Sequence, residues 1–175
     1  LLNIEWFDDL TAYKLKIKKP GTDEYFEKAV DLVETFNWLI GLYVEHLDRW
    51  RGYDAAFKRE VDPELPEDMN TRLMLDGGLK ETDDGAWRFR KVEGYTLRTP
   101  GDHNDREKAL VVWRKLTGDL EQDNLMLDEW FRKYRLSAQD TEFDVIYVNG
   151  SNNLPNLRKD EETWKVRLIE EAFHQ

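Results

Sequence analysis

Two short apolar runs, one unbroken and one interrupted only by Asp144, constrain this chain more than any other feature. Ala109–Trp113 and Phe143–Val148 have the length and continuity of strands covered on both faces. Between them lie Thr117-Gly118-Asp119 and a helix predicted around Glu121–Tyr134, with Leu125, Leu127, Trp130, Phe131 and Tyr134 as its inner face. Strand–helix–strand with two buried-type strands reads as a right-handed βαβ unit. After the loop Asn149–Asn156, a last helix is expected from about Glu161, carrying Trp164, Val166, Leu168, Ile169 and Phe173 inward. The expected class is therefore α/β: a mixed β-sheet closing on a C-terminal βαβα unit.

Upstream, the period changes twice. Thr11–Lys19 alternates apolar and basic residues, with Tyr13, Leu15 and Ile17 on one face, as in an edge strand. From about Glu27 to Trp50, Val30, Val33, Ile40, Val44 and Leu47 fall at helical spacing. Phe36, Trp38, Leu39 and Leu42 fill the remaining faces, so a long buried N-terminal helix is expected. Residues 54–85 hold ten acidic against four basic residues, with Pro63, Pro66, Gly77, Gly78 and Gly85. They read as an acidic, turn-rich insertion, with only Arg72–Leu75 hinting at a strand. Alternation resumes in Ala86–Val92 and Gly94–Thr99, where Gly94 marks a turn or bulge.

Composition excludes several classes. The chain has 175 residues, enough for one domain with a real core, and no cysteine, so thiolate metal sites and Cys nucleophiles are excluded. It carries 26 Lys+Arg against 37 Asp+Glu, a net charge of −11, which disfavours gripping a phosphate backbone with the whole surface. The charge is uneven: residues 86–115 hold eight basic and four acidic residues. No stretch reaches the roughly 20 apolar residues of a membrane span. A soluble, cytoplasmic protein is expected. A start at Leu1 and an end inside an apparently unfinished helix read as a piece of a longer protein.

Candidate chemistry concentrates in the loop Asn149-Gly150-Ser151-Asn152-Asn153. In open α/β sheets, ligands sit beyond the carboxyl ends of parallel strands, where this loop would meet Asp119. Asn149, Ser151, Asn152, Asn153 and Asp119 are accordingly candidate ligand or partner contacts. The same residue types also serve as structural turns. Arg88, Arg90 and Lys91, interleaved with Trp87 and Phe89, are candidate DNA contacts or simply the basic side of a strand. His46, His103 and His174 have no ligand-like spacing, so no metal site is expected. Asp119, Asp123 and Asp128 fit capping and helix-dipole roles. No Gly-x-Gly occurs, which excludes a dinucleotide fingerprint, and no phosphate loop is present.

Three blocks resemble the C-terminal part of site-specific DNA adenine methyltransferases of the type III modification-subunit kind. They are Val30–Leu42; Val111–Gly118 with Asp123-Asn124; and Phe143–Gly150 continuing through Asn152-Asn153-Leu154 to Glu162–Glu170. The resemblance implies a parent enzyme that transfers a methyl group from S-adenosylmethionine to adenine in DNA. It also implies that this chain joins its own catalytic domain, a second copy or a restriction subunit. The family's catalytic tetrapeptide needs adjacent prolines, and Pro20, Pro63, Pro66, Pro100 and Pro155 never adjoin. Its Phe-x-Gly-x-Gly cofactor motif is also missing. The expected role is thus a noncatalytic accessory domain spanning residues 1–175, with no catalytic, cofactor or metal residues. The alternatives are a DNA-contacting module using residues 86–115 and a small independent enzyme using Asn149–Asn153.

Overall fold

The computed structural model describes residues 32–174 other than Asn70, Asp140 and 157–163. The strand expected over Thr11–Lys19 and the start of the last helix at Glu161 lie outside the described residues. A helix, α1, covers residues 32–39. It is followed by β1 (Tyr43–Leu47), β2 (Arg51–Asp54), β3 (Phe57–Val61), a 3-10 turn (Glu67–Met69), β4 (Thr71–Leu75), β5 (Lys80–Glu81), β6 (Trp87–Leu97) and β7 (Arg106–Arg114). Then come α2 (Leu120–Lys133), β8 (Val145–Val148), β9 (Val166–Leu168) and α3 (Ile169–Phe173).

The main sheet has seven strands in the order β5-β2-β6-β7-β8-β9, with β1 also paired to β6. Its β1, β2, β5, β6 and β7 pairings are antiparallel, whereas β7, β8 and β9 run parallel. The chain is thus α/β with a mixed sheet. Because side chains alternate across a strand, the two apolar runs face both ways. Ala109, Val111, Trp113, Val145 and Tyr147 pack toward Leu32, Val33 and Phe36 of α1 and Ile169 of α3. Leu110, Val112, Ile146 and Val148 pack toward Met126, Leu127, Trp130 and Phe131 of α2. Phe36 stands edge-on to Trp113 and Tyr147 at 5.8 and 5.2 Å, and Trp130 stacks on Phe89 at 5.3 Å. Such aromatic pairs add about 0.5–1.5 kcal/mol each beyond area burial.

The long buried helix is a correction. Helix α1 stops because Gly41 takes φ 69°, a left-handed conformation natural to glycine. Leu42 N–H then donates to Asn37 O at 2.8 Å and Gly41 N–H to Trp38 O at 3.0 Å, which satisfies the last carbonyls. The chain continues as β1, whose five residues are all exposed, and Trp38 is 82% exposed, so neither segment is buried all round. Gly94 lies inside the continuous strand β6 and not at a turn. A Cβ there would sit 2.2 Å from Tyr43 O, so glycine is what lets β1 lie against β6, and the bulge falls in β1 between Val44 and His46.

The C-terminal βαβα unit is a second correction. Strands β7 and β8 are joined through α2, but Val166–Leu168 is not helical. It pairs with β8 from Ile146↔Val166 to Val148↔Leu168, and α3 is only five residues long. Trp164–Leu168 alternates apolar and basic residues, and the free edge of β8 takes up that period-2 pattern. The outward N–H and C=O of Val166 are both met by the Asn156 side chain, at 2.8 and 2.9 Å.

Residues 54–85 hold more regular structure than the one strand expected at Arg72–Leu75. Strands β3 and β4 form a hairpin with Phe57↔Leu75 and Val61↔Thr71 at its ends, and β5 joins the main sheet. Phe57, Leu75 and Leu79 pack against the core on the α2 side. Arg59 of the hairpin meets the Glu121 carboxylate at 3.1 Å. Only the stretch around Asp62–Asp68 keeps the exposed, turn-like character the composition predicts. Among the described residues no helix is long and apolar enough to cross a membrane.

Candidate functional site

The carboxyl ends of β7 and β8 lie side by side, and the polar groups there bind one another. The Asn149 side chain behaves as one more peptide unit of the β7–β8 ladder. Arg114 N–H donates to Asn149 Oδ1, and Asn149 Nδ2 donates to Arg114 O, both at 2.8 Å. The Arg114 side chain, 1% exposed, turns to the α2 side. Its Nε donates to Asn149 O at 3.0 Å and its Nη2 to Ser151 O at 2.8 Å. Its Nη1 donates to Asp123 O and Asn124 Oδ1 at 3.2 and 3.1 Å. Burial pulls this guanidinium down to about 10, opposed by the charges of Asp123, Glu170 and Asp128. Taking such a charge out of water is tolerable because four oxygens surround it.

The acidic residues nearby are spent in the same way. Asp123 accepts from Thr117 N–H at 2.9 Å, Thr117 Oγ1 at 2.6 Å and Trp87 Nε1 at 3.0 Å. Asp119 caps α2 by accepting Gln122 N–H at 3.1 Å. From the start of α3, the Glu170 carboxylate accepts Gly150 N–H at 2.9 and 3.0 Å. One buried arginine therefore ties β7, the start of α2 and the loop after β8 together, and Glu170 fastens α3 to the same loop.

Against this geometry the candidate loop divides. Asn149 is fully buried and structural, Ser151 offers its carbonyl to Arg114, and Asn152 bonds locally to Gly150 O and Leu154 N–H. Asn153 is exposed, and among the described residues its side-chain amide makes no hydrogen bond. Asp119 is a cap. The basic candidates on β6 are engaged within the fold and do not form an outward row. Arg88 is 8% exposed and donates to Asp83 O. Arg90 donates to Asp48 O at 2.9 Å, and burial lowers its pKa. Lys91 lies 4.0 Å from Glu93 and 5.6 Å above the Tyr134 ring. Arg114 and Glu170 escape a reading by residue type, because a basic residue ending a strand and an acid in a C-terminal helix look like surface.

Among the described residues no group of three or more His, Cys, Asp or Glu could hold a metal ion. Two cavities open away from the Arg114 cluster. One, of about 770 Å³, is bordered by Leu39, Tyr147, Trp164 and Arg167. The other, of about 400 Å³, lies between α2 and Asn153–Pro155. Comparison with protein-family models, with curated proteins and with solved structures returns no match for this chain.

Proposed function

We propose that this chain is a noncatalytic accessory module of a DNA adenine methyltransferase, serving assembly, dimerisation or docking of a restriction subunit. The observation carrying this reading is where the resembling blocks meet. Arg114, Asp123 and Asn124 belong to one block, and Asn149, Gly150 and Glu170 to another, and their polar groups bond chiefly to each other. Residues whose donors and acceptors are consumed internally build a scaffold and leave little to hold a reacting group. Among the described residues, Arg114 occupies the loop at the carboxyl ends of β7 and β8, which supports placing methyl transfer elsewhere in the parent enzyme.

Calorimetric titration of the 175-residue chain with S-adenosylmethionine should give no binding heat, and a methylation assay with duplex DNA no product. Tight cofactor binding would overturn the reading. In the longer polypeptide, deleting this segment should leave cofactor affinity intact while abolishing assembly with the partner subunit or second copy. Unchanged assembly would equally refute the proposal.

A further inference from the structure

The cavity of about 400 Å³ beside α2 has the chemistry of a small-ligand site. Its walls include Phe131, Leu136, Leu154 and Pro155, and its polar groups include Asp128 and Asn153. Unlike Asp119 and Asp123 on the same helix, Asp128 receives no hydrogen bond and forms no ion pair among the described residues, although it is half-buried. Among the described residues, Asn153 is the one asparagine of the Asn149–Asn153 loop whose side chain makes no hydrogen bond. Two polar side chains without protein partners among the described residues, from two separate elements, thus line one cavity together with apolar groups. Its size falls within the roughly 300–1,000 Å³ typical of small-molecule sites.

We propose that this cavity binds a small organic cation, an ammonium or amidinium group on a short apolar body, with Asp128 as its anionic anchor and Asn153 as its second polar contact. The charge balance favours a cation over an anion. Arg132, also on the cavity wall, directs Nη1 to Glu129 Oε1 at 2.5 Å, which leaves Asp128 as the charged group of the cavity with no ion-pair partner among the described residues. Arg114, the other cation that Asp128 senses, is enclosed by its own four acceptors. Burial holds the Asp128 carboxyl above the usual carboxylate range, with Arg132 lowering it, Glu129 raising it and Arg114 lowering it in smaller measure. The cost of a half-buried carboxylate without an ion-pair partner within reach is only partly offset by those two distant cations. A bound cation would remove the cost, the balance expected where stability is given up for binding.

The test is an amide NMR titration of the intact chain with benzylamine, using benzyl alcohol as the uncharged analogue. Benzylamine should give saturable shifts confined to the middle of α2 and to residues 153–155. Benzyl alcohol at equal concentration should not. Asp128→Asn keeps the side-chain volume and removes the charge, and should weaken benzylamine by about tenfold or more. Asn153→Ala, on an exposed loop position, should weaken it by roughly threefold. A carbon-detected titration of the Asp128 carboxyl should show its midpoint falling when benzylamine is bound. Equal binding by Asp128→Asn, equal binding of the alcohol, shifts mapping elsewhere, or no saturable shift would each overturn the proposal.

Discussion

Asn149 offers the sharpest test of the Arg114 cluster. Alanine at this position removes both bonds by which the side chain completes the β7–β8 ladder, and leaves Arg114 N–H and C=O buried without those partners. Each buried backbone group stranded in this way costs about 1–3 kcal/mol, so the pair should cost about 2–6 kcal/mol. Against a domain stability of about 5–15 kcal/mol that is a large share, equivalent to roughly 5–20 °C in midpoint for a chain of this size. Urea unfolding is the assay. The midpoint should fall with the slope unchanged, and exchange of the Arg114 amide should accelerate in the native state. Asn152→Ala is the internal control: its side chain is half-buried and bonds at 3.3 and 3.2 Å, so its loss should cost about 0.5–1.5 kcal/mol. The reasoning fails if Asn149→Ala costs no more than Asn152→Ala, or if the Arg114 amide stays protected.

Other outcomes follow from the same structure. Gly94→Ala places a methyl group 2.2 Å from Tyr43 O and should destabilise by about 1–3 kcal/mol, with hydrogen exchange rising first along Tyr43–Leu47. Asp119→Ala should lose about 0.5–2 kcal/mol of α2 capping in urea unfolding, and Asp119→Ser should restore most of it. For Asp128, whose folded pKa is raised, the native state holds the proton longer than the unfolded chain. Its contribution to stability therefore declines as pH rises from the unfolded carboxylate value of about 3.9 through the raised folded value, then levels off. Asp128→Asn lacks that decline and should be the more stable protein above the window, as paired urea titrations across pH would show.

How far the sequence could be read depended on whether one pattern had one structural solution. Ala109–Trp113 and Phe143–Val148 are apolar at every or nearly every position, which at that length fits strands covered on both sides, and they form the centre of the sheet. Glu121–Tyr134 has helical spacing and a cap at Asp119, and α2 falls there. Val44 and Leu47 are ambiguous, since their spacing also suits an exposed edge strand, and Gly41 decides the matter by ending α1. Val166 and Leu168 fit a helix face and a two-residue alternation equally, and the open edge of β8, a tertiary fact, selects the strand. The acidic count over residues 54–85 hid Phe57 and Leu75, two apolar side chains sufficient to dock a hairpin. At the carboxyl ends of the parallel strands, the residue types did not show which groups would find partners within the fold. That depends on Arg114 being buried, which charge alone argues against.

The Asn149–Glu170 arrangement also bears on the chemical lifetime of the chain. An Asn-Gly step is vulnerable to deamidation, because the glycine nitrogen can attack the asparagine side-chain carbonyl and expel ammonia through a cyclic imide. Here both reacting groups are held in place. The Asn149 amide is locked between Arg114 N–H and C=O, and the Gly150 N–H is bound by the Glu170 carboxylate. Ring closure would require the loop to leave all these partners first. The folded protein should therefore age at this bond only as fast as the loop opens, and a denatured sample should acquire its aspartate and isoaspartate forms much sooner. The contacts that close the end of the sheet thereby also shelter the Asn149-Gly150 step from deamidation.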